Sequence, residues 1–217
     1  MLSIPFALVA LCVLAVASLL RAEALDHRAA KALCKLTASS AFVALAVVLG
    51  ALHTAHGRWL LLALLLSWVG DACLLSQRSA WFLSGLGGFL LGHVAFAVAF
   101  ATAHPHGPSA AAGLAVMSIV GALALRWMWP SLPGPFRVAV GAYVLAIVGM
   151  CATAIGLTAA TGVWLYGVGA VAFAASDLAV ARERFVQPGL VNRLWGLPLY
   201  YVAQLLLAWT LWTAPAP

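Results

Sequence analysis

At 217 residues, the chain is 65% apolar and only 7% charged, far from the soluble norm of about 45–50% apolar and about 25% charged. Eleven Lys/Arg and five Asp/Glu cannot give a polar coat to a core of that size, which excludes a soluble enzyme, a disordered chain and a nucleic-acid binder. The net charge of +6 sits in short breaks between apolar runs, where positive residues set membrane topology.

A spanning helix takes about 20 mostly apolar residues. Runs at roughly 2–20, 36–53, 59–75, 80–103, 110–129, 138–157, 163–181 and 194–213 predict an all-α membrane protein, a polytopic bundle of eight transmembrane helices in a single domain, 1–217. Turn-forming residues fall between the runs: His53-Thr-Ala-His-Gly57, His104-Pro-His-Gly-Pro108 and Pro130-Ser-Leu-Pro-Gly-Pro135. With the connections numbered alternately, Arg21, Arg28, Lys31, Lys35, Arg78, Arg126, Arg137, Arg182, Arg184 and Arg193 collect on one side, against Arg58 on the other. The positive-inside rule then makes the basic side cytoplasmic and both termini non-cytoplasmic. The first run has no basic segment ahead of it and is not expected to be a cleavable signal. Nine Arg against two Lys, with abundant Ala, fits a GC-rich bacterial genome and so an inner-membrane location. Cys12, Cys34, Cys73 and Cys151 lack paired spacing and read as small apolar residues.

Ionisable groups inside a bilayer cost roughly 2.5–3.5 kcal/mol each at a helix centre and mark candidate functional sites. Glu23, Asp26 and Glu183 fall between runs and read as solvated charges, whereas Asp71 and Asp177 fall inside the third and seventh. Both of those runs head inward. Each aspartate lies about five residues before the cytoplasmic end, roughly 7–8 Å deep at 1.5 Å per residue. Two carboxylates at one depth would face each other across a cavity; alternatively, each bonds a nearby Ser or backbone group, or pairs with Arg78 or Arg182. Near that level come Tyr200, Tyr201 and Gln204, with Tyr200 and Gln204 four apart on one face. Tyr200 is either a membrane-belt residue or part of a lined cavity. Lys35 is either a snorkelling anchor or a phosphate contact. His93, among the glycines at 85, 88 and 92, is a base, a proton relay or an interhelical hydrogen bond. Ser176 precedes Asp177, but no GxSxG elbow and no HExxH appear. No metal or other cofactor is expected. Trp68-Val-Gly-Asp71 and Phe173-Ala-Ala-Ser-Asp177 also suggest a repeat four spans long.

At these residues the sequence resembles the YhhN family, integral membrane proteins that include lysoplasmalogenases. The resemblance runs along nearly the whole chain. It rests on Gly70-Asp71, on Gly85 followed by Gly92-His93, on Phe173-Ala-Ala-Ser176-Asp177 and on Tyr201-Val-Ala-Gln204, in that order. Two departures stand out: Phe96 occupies a place where an aromatic hydroxyl is expected, and Leu36 rather than proline follows Lys35.

The resemblance implies hydrolysis of the sn-1 vinyl ether of a lysoplasmalogen, giving a fatty aldehyde and glycerophosphoethanolamine or glycerophosphocholine. The partners would be this lysophospholipid and membrane lipids; nothing fixes the oligomeric state. A vinyl ether resists base and yields to acid, so the site needs a proton donor and an anion facing an oxocarbenium ion, roles that two carboxyls can divide. Asp71 and Asp177 are the expected catalytic pair, in either order. Tyr200, Tyr201, Gln204, His93 and Ser176 would orient water or substrate, and Lys35, Arg182 and Arg193 would meet the phosphate on the cytoplasmic side. Rival readings are a small-solute or proton-coupled transporter, which would also use intramembrane carboxylates and a repeat, and an intramembrane aspartyl protease. For the protease, Trp68 and Leu197-Pro198-Leu199 do not fit the motifs.

Overall fold

A computed structural model describes residues 3–76 and 78–213; Leu2, which opens the first predicted run, lies outside them. The described residues form eight α-helices and no strand: α1 Ser3–Ala24, α2 Arg28–Val48, α3 Ala55–Cys73, α4 Ser79–Thr102, α5 Gly107–Met128, α6 Gly134–Thr161, α7 Leu165–Ala181 and α8 Leu190–Thr213. A 3₁₀ turn at Trp129–Ser131 follows α5, and a π turn at Arg182–Val186 follows α7.

Every predicted run is a helix, but the eight are not equally apolar. Seven are long and apolar enough to cross a membrane. The exception is α3, whose 19 residues include His56, Arg58 and Asp71. One face of it, with Leu60, Leu64, Ser67, Gly70 and Asp71, is buried against its neighbours, while Arg58, Trp59, Leu62, Leu65 and Val69 are exposed. The start of α2 also differs, lying at Arg28 rather than near 36. The ring Nδ1 of His27 accepts from the Ala30 N–H at 3.2 Å, and Lys31 reaches back to Asp26 at 2.6 Å. The basic segment is thus capped and helical, and Lys35 sits two turns inside α2.

Helices pack as consecutive hairpins, α1 with α2, α3 with α4, α5 with α6 and α7 with α8; α4 on α6 and α8 on α2 then close the bundle. Lipid supplies no hydrophobic drive between helices, so close contact must come from small residues. A Cβ on Gly88 would lie 3.1 Å from the Leu66 carbonyl oxygen of α3, and one on Gly196 would lie 2.4 Å from the Ala179 Cβ of α7. Gly196 therefore seats α8 on α7, and α8 continues unbroken through Pro198. By contrast, α5 buries only Gly113, Met117 and Met128 and turns the rest of its surface outward.

Candidate active site

Asp71 ends α3 almost fully enclosed, at 1% exposure. Two residues one turn apart on α2 meet it. The Lys35 ammonium stands 3.2 Å from Oδ1, and the Ser39 hydroxyl donates to Oδ2 at 2.6 Å. From α8, the Tyr200 hydroxyl donates to the same oxygen at 2.7 Å. Tyr201 stands behind this group: its hydroxyl donates to the Lys35 carbonyl at 3.2 Å and lies 3.2 Å from Ser39 Oγ. Every group on the Asp71 carboxylate is a donor, so it is an acceptor at each contact.

Asp177, on α7, is held differently. Its Oδ2 lies 3.1 Å from His93 Nε2 of α4, although the contact is misaligned for a standard hydrogen bond. His93 Nδ1 lies 2.7 Å from the Phe89 carbonyl, which accepts only, so Nδ1 carries a proton. The other ring nitrogen thus faces a carboxylate oxygen, and neither of these two buried atoms has a hydrogen-bond partner among the described residues. His93 is wedged in place, stacked on Phe173 with ring centroids 4.3 Å apart and edge-on to Tyr143 at 5.2 Å.

Aromatic rings join the two carboxylates. Tyr200, which touches Asp71, packs on Phe173 and Phe89 with centroids 5.5 Å and 5.8 Å away. A cavity of about 1200 Å³ has both aspartates, Lys35, Tyr143, Ser176 and Tyr200 on its wall. Its inner arm is apolar, between Val120 and Gly121 of α5, Ile147 and Val148 of α6, and Val171 and Ala174 of α7. Its mouth is ionic. Arg193 bridges Glu23 at 2.9 Å and Glu183 at 2.7 Å, and Lys31 bridges Glu23 at 3.1 Å and Asp26 at 2.6 Å. Glu23 and Glu183 are therefore structural members of a rim network rather than free solvated charges. Asp26 alone is open to solvent, and the hydrogen bond and charge of Lys31 pull its carboxyl below the usual range.

The structure brings Asp71, Lys35, Tyr200 and Tyr201 into one cluster and Asp177 with His93 into another. The carboxylates share a cavity wall, but each has its own partner rather than the other. Lys35 serves Asp71 and neither snorkels nor stands free for phosphate. Arg182 is off the wall, bonded to Asn192 Oδ1 at 2.5 Å and Gln187 Oε1 at 2.8 Å, where it fixes the turn into α8. Ser176 lines the cavity while its hydroxyl donates to the Phe173 carbonyl at 2.7 Å. Gln204 is fully buried, with neither amide atom hydrogen-bonded. Sequence reasoning missed Ser39 and Tyr143. The four-residue spacing from Lys35 to Ser39 was a usable signal; for Tyr143 there was none, since its contact with His93 depends on how α6 meets α4.

Fold and site together define a polytopic membrane protein with an acid-bearing cavity inside its helix bundle. The YhhN family's sequence profile matches residues 30–211, and the chain belongs to that family. It is 36% identical over 167 residues to a protein named Lysoplasmalogenase from Mycobacterium tuberculosis (strain CDC 1551 / Oshkosh), a match covering 72% of this chain and 62% of that protein. It is 36% identical over 171 residues to Lysoplasmalogenase TMEM86A of Homo sapiens, covering 71% and 69% respectively. With Lysoplasmalogenase TMEM86B of Sus scrofa it shares 34% identity over 157 residues, 70% of this chain and 63% of that protein. The chain thus spans about 62% of the length of the mycobacterial relative it matches. No solved structure matches it.

Proposed function

We propose that the chain is a lysoplasmalogenase, hydrolysing the sn-1 vinyl ether of a lysoplasmalogen to a fatty aldehyde and glycerophosphoethanolamine or glycerophosphocholine. The observation that carries this reading is the unlike equipment of two carboxylates on one largely apolar cavity. Asp71 accepts from Ser39 and Tyr200 and faces the Lys35 ammonium. Asp177 lines the cavity beside His93, with its Oδ2 unbonded among the described residues. Asp177 is therefore the acid, and Asp71 the fixed anion.

The proton passes from Asp177 to the outer alkene carbon, whose π pair forms the new C–H bond while the ether oxygen supplies the pair that makes the oxocarbenium ion. Asp177, ionised by that transfer, is then a base. It takes a proton from the water that adds to the cation. The hemiacetal collapses as the bond to the glycerol oxygen breaks; that oxygen leaves with the electron pair and gains a proton, and the hemiacetal hydroxyl gives one up. One water is consumed and the acid is restored. Negative potential from Asp71, held rigid by Ser39 and Tyr200, favours the cation throughout.

In this reading α3 crosses with the other seven helices, both termini lie outside, and the mouth at Arg193 opens on the cytoplasmic side of a bacterial inner membrane, where the rim meets the headgroup. The test is aldehyde release by the purified protein from lysoplasmenyl-ethanolamine, beside its saturated alkyl ether and acyl ester analogues. Release from the vinyl ether alone is expected. Equal cleavage of the ester would overturn the acid mechanism, and no cleavage combined with proton-linked solute uptake in vesicles would make the protein a carrier.

A further inference from the structure

The cavity does not end at the carboxylates. Beside it, along the seam between α6 and α7, lies a separate hollow of about 460 Å³ that shares Val171 and Ala175 with its wall. This second hollow is a groove open to the outside, lined by Ile155 and Thr158 of α6 and by Trp164, Val168 and Ala172 on the α7 side, with Trp164, Val168 and Val171 exposed. The helices meet closely within it: the Gly167 N–H donates to the Thr158 hydroxyl at 2.9 Å, and a Cβ on Gly167 would lie 3.0 Å from that oxygen. At 1.5 Å per residue, the seam from Asp177 extends about 15 Å to Gly167 and about 20 Å to Trp164.

Chemistry decides what lies in it. The alkene carbon that takes the proton belongs to the hydrocarbon chain itself, so the chain starts at Asp177. The headgroup belongs at the ionic rim, and the chain must leave on the opposite, apolar side. We propose that the α6–α7 seam is the track for one long hydrocarbon chain, with Ala175 and Val171 at its throat and the Thr158–Gly167 crossing setting the chain length held best. The inference rests on the functional reading above for the direction in which the lipid enters.

The probe is a saturated alkyl ether lysophosphoethanolamine with a diazirine at the chain terminus, in hexadecyl and octyl forms, neither of which contains a cleavable vinyl ether. Photolysis of the wild-type protein is expected to label residues 155–168 with the long chain and the 171–175 stretch with the short one. Ala175→Trp and Val171→Phe should each remove the distal label. Each should also shift the ratio of kcat/KM for long over short vinyl ether substrates by about tenfold or more, a discrimination that a few methylenes in an apolar slot can supply. Label spread evenly over the outward faces of α1 and α5, or a flat chain-length profile in both variants, would overturn the track even with aldehyde release intact. Correct labelling without any aldehyde release would instead overturn the functional reading and leave the track standing.

Discussion

Asp71 and Asp177 are one residue type at comparable positions on α3 and α7, and their neighbours give them unlike tasks. Asparagine at 177 keeps the shape but cannot give or take the proton that the proposed mechanism requires. Asp177→Asn should therefore cut aldehyde release by about 10²- to 10⁴-fold, the usual contribution of a positioned acid, with an unchanged melting profile in detergent. Asp71→Asn acts on another quantity. It leaves the Lys35 ammonium enclosed without its counter-ion, a change that costs about 3–5 kcal/mol where an ion pair is buried, so its mark is a lower Tm as well as lost activity. Combining Lys35→Met with Asp71→Leu should recover much of the Tm and none of the activity, a split that separates packing from catalysis. The two aspartates were legible in the sequence because carboxylates are so scarce inside its apolar runs. Lys35, His93 and Tyr200 were legible as site residues, but not which aspartate each would meet: Ser39 and Tyr200 share Asp71 only because α2 and α8 converge on α3, and no local spacing encodes that convergence.

Between elements, the fit depends on where side chains are missing. Gly196 has the Ala179 Cβ in the space its own Cβ would need, so Gly196→Ala should push α8 from α7 and lower the Tm measurably. Gly141, on α6, has nothing within 4 Å of a built Cβ, and Gly141→Ala should be neutral or stabilising by up to about 1 kcal/mol through helix propensity. Thermal unfolding of the two variants side by side checks the assignment. The helices themselves were readable from apolar run length alone, apart from α2, whose first two turns carry Arg28, Lys31 and Lys35 and so fall below any apolar threshold. His27 as a cap and Asp26 as a counter-charge supply what that segment lacks in apolarity. In α3 the polar Ser67 and Asp71 lie on the buried face while Leu62, Leu65 and Val69 point outward, an inversion that run length alone does not reveal.

Over the whole molecule, the rim network ties the first hairpin to the last, through Arg193 of α8 to Glu23 of α1 and to Glu183 beyond α7. Arg193→Ala removes both bridges at once, and spin labels placed at Leu25 and Gln187 should report a broader distance distribution. Single cysteines at His106 and Arg184, in a chain whose four native cysteines are replaced by alanine, should react with an impermeant thiol reagent from opposite sides of the membrane if the arginine bias sets the topology. The position of α3 carries one further consequence. Synthesis delivers this helix long before Tyr200 exists, so at the moment of insertion Asp71 has only Lys35 and Ser39 to turn to. On the reading that α3 crosses the membrane, a segment too polar to be released into lipid by itself would enter it paired with α2 through Asp71 and Lys35. Loss of Lys35 should accordingly surface in the cell first as a misthreaded, rapidly degraded chain, well before any assay of turnover registers it.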